Sequence, residues 1–111
     1  MNEEAVKQVG PQEAKELIGA GAVLLDVRRA DEFAESRIPG STWIVLDELS
    51  QKYGQLPKDR QIVVQCKSGG RSNRAAAWLG SQGYSAVNLA GGIDLWKQEG
   101  LPVEPGNPEE V

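Results

Sequence analysis

The sequence predicts an α/β domain with a mainly parallel central sheet and helices on both faces. Three observations carry that expectation. Short, largely apolar runs bounded by turn residues read as strands buried on both faces. Helix-forming stretches alternate with them at the spacing of βαβ units. The 111 residues make one domain, and a chain of this mass buries about 65% of its unfolded surface, enough for one core.

Ala5–Val9 reads as a short first strand after a polar lead-in. Pro11 then opens a helix, Gln12 to Ile18, with Glu13 in its first turn and Gly19 and Gly21 at its end. Ala22–Val27 is a buried strand, Ala30–Glu35 a turn or two of helix, and Ile38-Pro39-Gly40 a turn. Thr42–Leu46 is the next strand, and Asp47-Glu48-Leu49 begins a short helix. Ile62–Gln65 is a buried strand that delivers Cys66 at its carboxyl end. Arg71–Leu79 is helical by its alanines and leucine, and Gly83 closes it. Ala86–Leu89 is the last strand and Ile93–Gln98 the last helix. The core spans about residues 5–103, and Glu104 begins an acidic, proline-containing tail, 104–111, expected to be disordered.

Composition removes several functions. Hydrophobic residues make up 40% and charged residues 25%, as in ordinary soluble domains. Histidine is absent, so no His-based metal site or His-assisted nucleophile is available. One cysteine allows neither an internal disulfide nor a Cys-rich zinc site, and no metal or cofactor is implied. The apolar runs are too short to cross a bilayer. Met1-Asn2-Glu3-Glu4 is acidic and unlike a secretory signal. The net charge of −4 argues against nucleic acid as a partner. A lone cysteine fits a reducing, cytoplasmic compartment.

The charge is unevenly spread. Between Asp59 and Asp94 no acidic residue occurs, while Arg60, Lys67, Arg71 and Arg74 do, and Cys66 lies among them. The segment Cys66-Lys67-Ser68-Gly69-Gly70-Arg71-Ser72 joins a strand end to a helix start. Two glycines let such a loop turn successive N–H groups inward as an anion nest, and the helix start adds the positive end of its dipole. A free thiol is only about 3% ionised at pH 7, whereas helix starts and cations lower its pKa to roughly 3.5–7.5. A fall of about two units makes the thiolate the major form with no histidine base. Taken singly, a lone cysteine is usually an inert small hydrophobe and Gly-Gly before a helix usually a turn. The ordered set of strand, cysteine, glycine loop, Arg-Ser and helix favours function. It is not a Walker A loop, whose glycine, lysine and Ser/Thr spacing is missing.

Cys66-x-x-Gly69-x-Arg71-Ser72 resembles the active-site loop of the rhodanese family of sulfurtransferases. Asp26-Val27-Arg28 with Glu32-Phe33 resembles the family's first-strand motif, and Arg37-Ile38-Pro39-Gly40-Ser41 its His-Ile-Pro-Gly-Ala turn. Asn88-Leu89-Ala90-Gly91-Gly92-Ile93, with Trp96 and Leu101-Pro102-Val103, resembles its C-terminal signature. Arg37 and Ser41 depart from the usual histidine and alanine, and Trp43 and Val45 from smaller residues or proline.

The resemblance implies a single-domain rhodanese-like fold and a thiosulfate-type sulfurtransferase with Cys66 as catalytic nucleophile. Cys66 takes sulfur from a small anionic donor as a persulfide, then yields it to cyanide or a thiol. Lys67, Ser68, Gly69, Gly70, Arg71 and Ser72 form the substrate-binding loop. Lys67 and Arg71 attract the donor, Ser68 offers its hydroxyl to the bound sulfur, and Ser72 supports the helix start. Asp26 with Arg28 reads as a structural ion pair, Trp78 and Trp96 as core, and Asp94 as a helix-start acid. Two other readings share the loop. A sulfur carrier or binding module would serve a protein partner with the same cysteine. A phosphatase or arsenate reductase would need five residues between cysteine and arginine where this loop has four.

Overall fold

The computed structural model describes residues 6–106. Five strands form one sheet: β1 (Lys7–Val9), β2 (Val23–Asp26), β3 (Thr42–Trp43), β4 (Ile62–Gln65) and β5 (Ala86–Leu89). Their spatial order is β1-β5-β4-β2-β3, and every pairing is parallel. The expected α/β architecture is therefore present, with its sheet wholly parallel.

Helices cover both faces. Helices α1 (Pro11–Gly19) and α5 (Gly92–Gln98) lie over a layer containing Val9, Leu24, Val63, Leu89, Ile93 and Trp96. Helices α3 (Leu49–Lys52) and α4 (Gly70–Ser81) cover the opposite layer of Leu25, Ile62, Val64, Ala75, Ala76 and Leu79. The alanines of α4 let its backbone approach the sheet closely, which brings the helix start next to the end of β4. Helix α2 (Ala30–Glu35) follows β2 and buries Phe33.

Several expectations change in detail. The β3 pairing stops at Trp43, well short of Leu46, because the chain winds into a 3-10 turn at Leu46–Glu48. Its extended run continues only through single bonds, from the Ile44 N–H to the Asp26 carbonyl and from the Leu46 N–H to the Val27 carbonyl. The tail is not loose at its start. Arg37 and Glu104 form an antiparallel bridge, and the Arg37 Nε donates to Glu104 Oε2 at 3.0 Å. Ala5 and tail residues 107–111 lie outside the described residues.

The aromatic departures have structural work. Trp43 stacks on Phe33 with ring centroids 5.1 Å apart and donates its Nε1–H to the Arg28 carbonyl at 2.8 Å. The Arg37 guanidinium lies 5.0 Å from the Phe33 ring centroid. Trp96 is core as expected, and its Nε1 donates to the Pro102 carbonyl. Trp78 is half-buried, with Tyr53 edge-on to it.

Candidate functional site

Cys66 stands at the carboxyl end of β4, where parallel α/β sheets place their binding crevices. Its residue is 1% exposed. The loop that follows is shaped from behind. The Cys66 and Lys67 carbonyls accept from the Ile93 and Asp94 N–H groups at 2.9 and 3.1 Å. With those carbonyls turned towards the start of α5, the later amides are free to face the sulfur. Gly92 makes the approach possible. Its φ is +57°, and a Cβ there would stand 2.4 Å from the Cys66 oxygen. Gly69, at φ +109°, reverses the chain into α4.

Sγ receives the Gly69 N–H at 3.1 Å, the Ser72 N–H at 3.4 Å, and has the Ser72 Oγ at 3.3 Å. Burial pushes the thiol up. The Ser72 hydroxyl and the N–H groups of Ser72, Gly69 and Ser68 outweigh it and hold the pKa below the ordinary 9.0. The nest expected from the glycines is thus built, and it closes on the sulfur itself. Ser72 does more than the expected support of the helix start, since its hydroxyl lies between Sγ and the Asn88 Oδ1.

The two cations of the loop are already matched. Arg71 donates through both terminal nitrogens to Glu32, at 2.8 Å to Oε1 and 3.0 Å to Oε2. This guanidinium is the main reason the Glu32 carboxyl falls to about 2. The Lys67 Nζ donates to Asp94 Oδ2 at 2.9 Å on the exposed rim, which raises the lysine pKa. Asp94 is accordingly a rim partner as well as a helix-start acid. Beneath the loop, Asp26 and Arg28 form the expected structural ion pair, with Arg28 Nη2 2.7 Å from Asp26 Oδ2.

Ser68, Gly69 and Gly70 also edge an open groove of about 380 Å³ that includes Gln8, Asn73 and Asn88. A larger cavity of about 560 Å³, between Leu46, Leu49, Arg74 and Trp78, includes no residue of the 66–72 loop. No cluster of metal-ligating side chains occurs among the described residues, and none of their helices is long and apolar enough to cross a membrane.

Three residues belong to the site that the loop motif does not identify. Glu32 lies in the EF pair of the first-strand motif, but its contact with Arg71 depends on how α2 is placed. Asn88 had a readable signal, because an amide inside the apolar run Ala86–Leu89 needs a buried partner. Gln8 had none, because it joins the site only through the pairing of β1 with β5.

A sequence profile described as Rhodanese-like domain matches residues 10–99. A protein of Allochromatium vinosum named "Sulfurtransferase" is 40% identical over 82 residues, covering 73% of this chain and 77% of that one. The "Thiosulfate sulfurtransferase GlpE" of Pseudomonas fluorescens is 38% identical over 106 residues, 93% of this chain and 96% of that one. A crystal structure of a rhodanese-related protein from Thermoplasma volcanium superimposes with a TM-score of 0.84 at 34% identity. That match covers 88% of this chain and 97% of the other.

Proposed function

The chain belongs to the rhodanese-like domain family, and on that premise we propose that it is a sulfurtransferase working through a Cys66 persulfide. The reading is carried by one observation: Sγ accepts main-chain N–H bonds from Gly69 and Ser72 inside a loop whose carbonyls are tied away. Relatives named sulfurtransferase and thiosulfate sulfurtransferase support the reaction class.

The Cys66 thiolate attacks the outer sulfur of thiosulfate or a related anionic donor. The Sγ–S bond forms as the donor's S–S bond breaks, and its electron pair leaves with sulfite. The outer persulfide sulfur then carries the negative charge, within reach of the loop amides of residues 67–71. Cyanide or a thiol attacks that sulfur, the Sγ–S bond breaks, and the thiolate returns. With no second cysteine in the chain, the acceptor comes from outside it, as a small thiophile or a cysteine of a protein partner. The Lys67 ammonium is exposed and carries three protons, of which Asp94 takes one, so it offers donors to an arriving anion. Arg71, clamped by Glu32, adds positive potential and fixes the loop's end. A reducing, cytoplasmic setting keeps the thiol available.

Intact mass spectrometry after thiosulfate treatment tests the proposal. The expected result is a gain of one sulfur atom, reversed by cyanide and missing in Cys66→Ser. No gain, together with turnover of a phosphoaryl ester, would replace it with the phosphatase reading.

A further inference from the structure

A chain of polar side chains runs from the sulfur to the surface on the α4 face of the sheet. Asn88, buried in β5, donates through Nδ2 to the Gly69 carbonyl at 3.2 Å and to Gln8 Oε1 at 2.7 Å. Gln8 donates through Nε2 to the Val6 carbonyl at 3.4 Å and to Asn73 Oδ1 at 2.6 Å. The carbonyls of Gly69 and Val6 can only accept, so they fix which way both amides face. Asn88 Oδ1 must then point at Ser72, whose Oγ lies 2.5 Å away, and Ser72 must be the donor. The same Oγ lies 3.3 Å from Cys66 Sγ, and a hydroxyl has one proton.

We infer that Asn88 is a positioning residue that competes with Cys66 for the Ser72 proton, so that the hydroxyl can add to the amides that hold the thiolate only by leaving Asn88. With the proton on the Asn88 side, Ser72 Oγ presents a lone pair to the S–H, and all three groups are satisfied. When the thiol ionises, the hydroxyl turns to Sγ and leaves Asn88 Oδ1 buried without a donor, which is costly. In a persulfide Sγ carries no charge, and the proton returns to Asn88. The device therefore favours the sulfur-loaded state over the free thiolate. Arg71 interacts electrostatically with Cys66 and is clamped by Glu32, while Asp26–Arg28 and Lys67–Asp94 are closed pairs on the next strand and on the rim. Each is paired and stays unchanged in the variants below.

The inference rests on Cys66 as the nucleophile, but its test reads thiol titration and needs no turnover. Ultraviolet thiolate absorbance and iodoacetamide alkylation across pH give the titration midpoint. Mass measurement of sulfur loading on the same samples reports separately on the proposed function. Asn88→Ala should lower the midpoint by about one pH unit, roughly tenfold in the acid constant. In a Ser72→Ala background the same substitution should leave it unmoved. Gln8→Leu, at an exposed position, should shift it the same way by less, because Asn88 loses one of its two anchors. An unchanged or raised midpoint in Asn88→Ala, or an equal shift without the Ser72 hydroxyl, overturns the inference. Should Asn88→Ala fail to fold, an unmoved midpoint in Gln8→Leu does so.

Discussion

Two neighbouring strands end within one parallel sheet, and each presents a group able to carry negative charge. At the end of β2, Asp26 is met by the Arg28 guanidinium through Nε and Nη2 and by the Arg28 N–H. Arg28 itself spends Nη1 on the Glu32 carbonyl and Nη2 on that of Ser36. Every charge there has a full opposite charge in contact, and both side chains are buried. At the end of β4, the Cys66 sulfur meets only dipoles, the amides of Gly69 and Ser72 and one hydroxyl. The cations nearby are turned to Glu32 and Asp94. A buried anion matched by a fixed cation is a structural rivet. One held by amides has no counter-ion closed upon it, which is the state the proposed nucleophile requires.

The contrast can be broken from the riveted end first. Arg28→Met leaves Asp26 buried without its cation and should cost about 3–5 kcal/mol of stability, read from denaturant unfolding. Where the protein stays folded, the Cys66 titration midpoint should move little. A large shift of that midpoint would show that the two strand ends are one electrostatic unit. Gly92→Ala strikes the other end. Its Cβ would meet the Cys66 carbonyl, and its φ is positive, so the loop must shift, at about 1–3 kcal/mol. The thiol midpoint should rise and iodoacetamide reactivity at neutral pH should fall.

Smaller effects sharpen the boundary between the two regions. Glu32→Gln removes the charge that clamps Arg71 and should cost about 1 kcal/mol at neutral pH, given the partial exposure of the pair. Its pH signature has a definite sign. The folded state holds Glu32 below its ordinary 4.5, so its contribution is full above that pH and is lost as pH falls towards about 2. Acid unfolding of Glu32→Gln should lack that component. Lys67→Ala, on the exposed rim, should leave stability essentially unchanged, since an exposed ion pair contributes little. It should instead raise the donor concentration needed for half-maximal loading and weaken the salt dependence of that step.

Much of this was legible in the sequence because local rules agree there. The runs around Leu24, Val63 and Val87 are apolar and lie between turn residues, and each became a central strand of the parallel sheet. The cradle was legible because its parts are consecutive: Cys66, Gly69 and Ser72 sit within seven residues. What was hidden comes from contacts across the chain. Asn88 and Gln8 join the network behind the Cys66 loop only because β5 lies between β4 and β1, and Gln8 and Asn88 are opposite each other in that register. Glu32 meets Arg71 across 39 positions. The shortening of β3 was hidden for a local reason, since Thr42–Leu46 is strand-like in composition and the 3-10 turn begins inside that run, at Leu46.

The seclusion of Cys66 sorts reagents by bulk. With 1% of the residue exposed, a folded-in sulfhydryl gives large disulfides no line of approach, so mixed-disulfide damage from them is disfavoured. In the proposed reaction the atom that gives up sulfur would lie one S–S bond, about 2 Å, from the atom that takes it up.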